Sequence, residues 1–238
     1  MSSVVKKIIT ALTGLALVGF AITHLLGNLT LLAPGSAPFN AYAANLESFG
    51  LLLEAAEVIL FTLFVVHAVN GILLKLNHKA ARPVGYRNFQ TKGSPSRANL
   101  SSMTMIFSGF FLLAFLVLHI WQFKFGPSLA QGYVTEIKGQ KVRDLHRLVV
   151  ETFKNPLWVS IYVAAMLFLG MHLRHGFWSA FQSIGIMKPS LSKPFYILSL
   201  MIATALAVGF LMIPVLIYMG VSGVSVVSGV FGNLGGAV

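Results

Sequence analysis

Cysteine is absent from this 238-residue chain, and the absence removes several chemistries at once. No disulfide can staple the fold, no thiolate can ligate a haem iron, and no iron–sulfur cluster can be held by its own side chains. Charge is scarce as well. Only 10% of the residues are charged, against roughly a quarter in soluble domains. Acidic residues are scarcest, 6 against 17 Lys and Arg, which leaves a net charge of +11. Nothing resembles a nucleophile triad, a Gly-rich phosphate loop or a zinc site. Because the basic residues sit in loops beside apolar runs, the positive charge is a topology signal and not one for nucleic acid.

Apolar length takes the place of charge. Hydrophobic residues make up 56% of the chain. Five apolar stretches, over about 8–32, 50–76, 101–125, 156–184 and 194–220, are each long enough for a hydrocarbon layer of roughly 30 Å. These runs predict an all-α membrane protein, one transmembrane domain over 1–220 with a four-helix core and a fifth helix. The first run is too long for a signal-peptide core and reads as a retained helix. A Gly- and Ser-rich stretch at 221–238 reads as a flexible tail. The connection at 126–155 is long for a bundle. The helical spacing of Val142–Phe153 predicts a surface cap there.

The loops sort by charge. Lys6, Lys7, Lys75, Lys79, Arg82, Arg87, Lys92, Arg97, Arg174, Lys188 and Lys193 fall on one side with no acidic residue. Lys124, Lys138, Lys141, Arg143, Arg147 and Lys154 fall on the other, diluted by Glu47, Glu136, Asp144 and Glu151. The positive-inside rule then places the N-terminus in the cytoplasm and the C-terminus outside.

Four of these apolar runs each carry a histidine: His24, His67, His119 and His172. An ionisable or metal-ligating side chain at membrane depth is costly, so its default reading is functional. Helix direction alternates, and counting from each span's start puts His24 and His119 in the outer half. His67 and His172 fall in the inner half, something like 10–15 Å away at about 1.5 Å per residue. Two pairs result, His24 with His119 and His67 with His172. Two axial histidines per iron is what a b-type haem takes, so the spacing predicts two haem b groups with these four residues as metal ligands. His175 competes with His172 but lies a turn nearer the cytoplasmic surface, where a haem propionate or a polar rim is expected. His78 and His146 read as surface residues.

Local motifs repeat in the same register. Thr13-Gly14 precedes His24 by the spacing with which Ser108-Gly109 precedes His119, while Gly71 and Gly176 each follow a helix 2 or helix 4 histidine by four. Glycine lacks a Cβ and would let a haem edge approach the backbone; small-residue helix packing is the plainer alternative. Glu54 and Glu57 lie on helix 2 with no basic residue in that stretch. Glu57 is the candidate for proton exchange with a quinone. Glu54 reads equally well as that group or as a helix-end residue facing headgroups. Arg174, Lys188, Arg82 and Arg97 cluster at cytoplasmic helix ends, where haem propionates, anionic lipid or a soluble partner are all suitable counterparts. Trp121, Trp158 and Trp178 read as an interfacial belt.

The segments around these residues resemble one family. They are Thr13-Gly14, His24-Leu25-Leu26-Gly27-Asn28-Leu29, Phe39-Asn40-Ala41-Tyr42, Ala56-Glu57, Leu60-Phe61 with His67, and Ala81-Arg82-Pro83-Val84-Gly85-Tyr86. Ser108-Gly109 with His119 follows, and then His172-Leu173-Arg174-His175-Gly176-Phe177-Trp178-Ser179-Ala180-Phe181-Gln182. Together they resemble the cytochrome b558 membrane-anchor subunit of succinate dehydrogenase, the five-helix, two-haem kind. The resemblance touches helices 1 to 4, and the run from His172 to Gln182 is its most specific part.

The resemblance implies a complex in a bacterial inner membrane. A flavoprotein subunit would oxidise succinate with FAD, and an iron–sulfur subunit on the cytoplasmic face would pass electrons to this anchor. Its two haems would carry them to a quinone, expected to be menaquinone, with one carboxylate among Glu47, Glu54 and Glu57 near the quinone. The chain is thus expected to be the electron-transferring, quinone-reducing part of an enzyme, open to oligomerisation as a whole complex. A fumarate reductase or another membrane dehydrogenase would use the same kind of anchor. From a different class, a haem-free proton-coupled transporter would use the histidines as a relay.

Overall fold

The computed structural model describes residues 2–80 and 104–221, with the backbone alone at His78 and Lys79. Helix α1 (Ser3–Asn28) runs into a single 3-10 turn at Leu29–Leu32. After it come α2 (Ala37–Glu47), α3 (Leu51–Ala80) and α4 (Met105–Phe123). A strand pair, β1 (Val134–Ile137) and β2 (Gln140–Arg143), precedes α5 (Leu145–Phe153), α6 (Pro156–Ile184) and α7 (Pro189–Tyr218). Five of the described helices are long and apolar enough to cross a membrane: α1 with its 3-10 turn, α3 over Leu51–Asn77, α4, α6 and α7. The chain is an all-α membrane protein.

Proline and glycine set several boundaries. Pro156 and Pro189 open α6 and α7, where the missing N–H would have had no helical partner anyway. Gly185 closes α6 at φ 86°, a left-handed cap open to glycine at little cost. The sequence placed the start of the last span at 194. The helix instead begins at Pro189 and takes Pro194 inside, giving up one backbone hydrogen bond.

The connection after α4 departs from expectation. Val142 and Arg143 lie in β2, paired antiparallel with β1 (Val134 opposite Arg143). The hairpin turns at Lys138 and Gly139, both with positive φ, the twist that two-residue hairpin loops favour. Helix α5 starts only at Leu145, because Asp144 caps it by accepting from the Arg147 N–H at 3.0 Å. Its face Leu148, Val149, Thr152 and Phe153 is buried. Helix α2 was not anticipated at all. It packs closely on α1, where a Cβ on Gly27 would overlap the Tyr42 ring.

By contacts, the described residues form two compact units. One draws on 2–21, 56–80, 104–113 and 168–206, the other on 22–55, 114–167 and 207–221. The expected tail beyond 221, the basic residues Arg82, Arg87, Lys92 and Arg97 and the Ala81–Tyr86 motif lie outside the described residues.

Candidate functional site

In the first unit, α3 supplies His67 and α6 supplies His172. Their ring centres are 6.3 Å apart with planes at 66°. Each ring is tied through Nδ1 to a different helix. Nδ1 of His67 lies 3.1 Å from the Thr10 carbonyl and 3.3 Å from Thr13 Oγ1. Thr13 already donates its hydroxyl proton to the Ile9 carbonyl at 2.7 Å, so its oxygen is left as an acceptor. Nδ1 of His172 lies 3.1 Å from Ser108 Oγ. Ser108, 0% exposed, likewise donates to a carbonyl of its own helix, Met105, at 3.0 Å. Faced by acceptors, both imidazoles carry the proton on Nδ1. That tautomer leaves the Nε2 lone pair free to ligate.

The glycines next to these hydroxyls face the same rings. A Cβ on Gly14 would stand 2.9 Å from His67 Cε1, while one on Gly109 would stand 3.5 Å from His172 Cε1. What lies against each glycine among the described residues is therefore the imidazole itself. Gly176 faces the Met105 methyl at 3.3 Å, and Gly71 has nothing within 4 Å.

In the second unit, α1 supplies His24 and α4 supplies His119, with ring centres 5.9 Å apart and planes at 89°. His24 lies against Phe210 of α7 at 5.8 Å. Nδ1 of His119 is 3.2 Å from the Tyr162 hydroxyl, which donates to Gln122 Oε1 at 2.8 Å. Phe115, Phe123 and Phe153 pack around this group, with ring centres 4.8–6.0 Å from Tyr162. Gln122 also lines a cavity of about 440 Å³ with Trp121, Phe125, Pro127, Leu148 and Trp158. All four candidate histidines keep part of their surface accessible.

The remaining candidates divide. Arg174 donates to the Tyr196 hydroxyl at 2.6 Å, yet its Nε and the Trp178 Nε1, one turn on, are buried with no acceptor among the described residues. Such orphaned donors call for an explanation. His175, between them in sequence, is half-buried, as is Glu57, while Glu54 is exposed. The Nδ1 partners Thr10, Thr13, Ser108 and Tyr162, and Gln122 behind Tyr162, had no role assigned from sequence. A hydroxyl directly before each repeated glycine was the available signal for two of them.

Nδ1 is engaged at His67, His172 and His119, and each of the two pairs could supply two imidazole nitrogens to a metal centre. Comparison with protein-family models, with curated proteins and with solved structures finds no match to this chain.

Proposed function

We propose that this chain is a diheme cytochrome b that anchors succinate dehydrogenase in a membrane and relays electrons to a quinone. One observation carries the reading: two histidine pairs whose ring centres are 5.9 and 6.3 Å apart. A metal–imidazole bond is about 2 Å, and the ring centre lies about 1.2 Å behind the nitrogen. Two rings that shared one ion would stand up to about 6.4 Å apart on these lengths, close to both spacings. Ring packing alone would account for the distances but not for the Nδ1 acceptors supplied to His67, His119 and His172. Bound haem would supply reversible one-electron exchange at iron. The protein's part is to hold the rings of His67, His119 and His172 in one tautomer each and to carry all four on helices.

The other candidates fit around that role. Arg174 Nε and Trp178 Nε1 are suited to a carboxylate such as a haem propionate, with His175 beside them. Glu57, half-buried on α3, is the group for proton exchange with the quinone, with Glu54 as the alternative. The basic side of the membrane domain, including Lys75, Lys188 and Lys193, would face the cytoplasm and seat the iron–sulfur subunit, since surface charge steers and orients association. The flavoprotein would dock through that subunit.

The test is a visible spectrum of membranes carrying the whole complex. Succinate should raise a reduced b-type α-band. A band that appears with dithionite but with neither succinate nor a fumarate couple would assign the anchor to another dehydrogenase. No band under any reductant would end the haem reading and leave the transporter.

A further inference from the structure

The two histidine pairs differ in what holds their Nδ1 protons. At His67 and His172 the acceptors are a backbone carbonyl and the hydroxyls of Thr13 and Ser108, each hydroxyl donating to a carbonyl one turn back on its own helix. At His119 the acceptor is the phenol of Tyr162, which donates to another side chain, Gln122, and not to a carbonyl of its own helix. A phenol has one proton to give. Gln122 Oε1 takes it at 2.8 Å, which leaves the Tyr162 oxygen to accept from His119 and not to donate to it.

We infer that Tyr162, oriented by Gln122, is a positioning residue that tunes the reduction potential of the His24–His119 centre independently of the His67–His172 centre. The inference rests on the diheme reading. An Nδ1–H that donates to an acceptor makes the imidazole a stronger donor to the metal it ligates. Stronger donation stabilises the oxidised iron and lowers its potential. Tyr162 is well placed for this because it is itself immobilised: it is 6% exposed, and Phe115, Phe123 and Phe153 pack around its ring. Tyr162 and Gln122 both belong to the hydrogen-bonded group at His119, so a change at either should act on that centre. Because Gln122 acts on His119 only through the phenol, its removal should have the smaller effect.

The test is an optical redox titration of the purified complex in wild-type, Tyr162→Phe and Gln122→Leu forms, with the haem content of each measured first. Tyr162→Phe should retain both haems and shift one of two reductive waves to higher potential while the other stays in place. Gln122→Leu should move the same wave in the same direction by less. Full haem content with both waves unmoved in Tyr162→Phe, or both moved alike, would overturn the inference. Where Tyr162→Phe fails to assemble, an unmoved pair of waves in Gln122→Leu overturns it equally. If the wild-type chain carries no haem, the diheme reading fails first. The hydrogen bond is then judged by the nitrogen chemical shifts of isotope-labelled histidine: one ring should move from the Nδ1–H form in Tyr162→Phe, and no movement would overturn the tautomer assignment.

Discussion

At the scale of single residues, Gly14 and Gly109 look equivalent in sequence and are not equivalent in space. Each follows a hydroxyl residue and precedes a histidine by the same interval, which was enough to mark them as a repeat. The interval could not say what faces them. In the structure His67 Cε1 would lie 2.9 Å from a Cβ on Gly14, whereas His172 Cε1 would lie 3.5 Å from one on Gly109. The first is an overlap and the second an ordinary contact. Gly14→Ala should therefore push the His67 ring off its place between Thr10 and α6, and lower haem occupancy at that centre by half or more. Gly109→Ala should leave both centres intact. Haem-to-protein ratios of the two variants measure the contrast, and equal losses in both would refute it.

The elements show where patterns end and tertiary contacts take over. Length and apolarity were sufficient for α1, α3, α4, α6 and α7, because spanning a membrane leaves a helix as the only open-ended way to satisfy backbone groups. Helix α2 and the β1–β2 hairpin lack that constraint and were missed. They are held by a polar network instead. Asn40, 0% exposed on α2, donates to Asp144 Oδ1 at 2.8 Å and accepts from the His146 N–H at 2.9 Å. This N–H is one of the first-turn donors of α5 that no helical carbonyl can reach. Asn40→Ala should cost about 1–3 kcal/mol, the penalty for a buried donor left without its partner. It should appear as a lower unfolding temperature of the detergent-solubilised protein with haem content unchanged in the folded fraction. An unfolding temperature equal to wild type would mean that water satisfies this N–H and that Asn40 is not the staple between α2 and α5.

For the whole molecule, the sequence was most informative about which residues come together and least informative about how they are held. Counting depth along alternating helices paired His24 with His119 and His67 with His172, and those are the rings found 5.9 and 6.3 Å apart. Depth is legible because the membrane fixes the direction and rise of each span. Azimuth is not, so Tyr162 of α6 and Phe210 of α7 could not be foreseen beside their histidines. The central claim is that each pair holds one haem, and a pyridine haemochrome assay on the purified chain of known protein concentration tests it most directly. The account predicts two haem b per wild-type chain and one in His24→Ala or His119→Ala. One haem or none in the wild-type chain would contradict it.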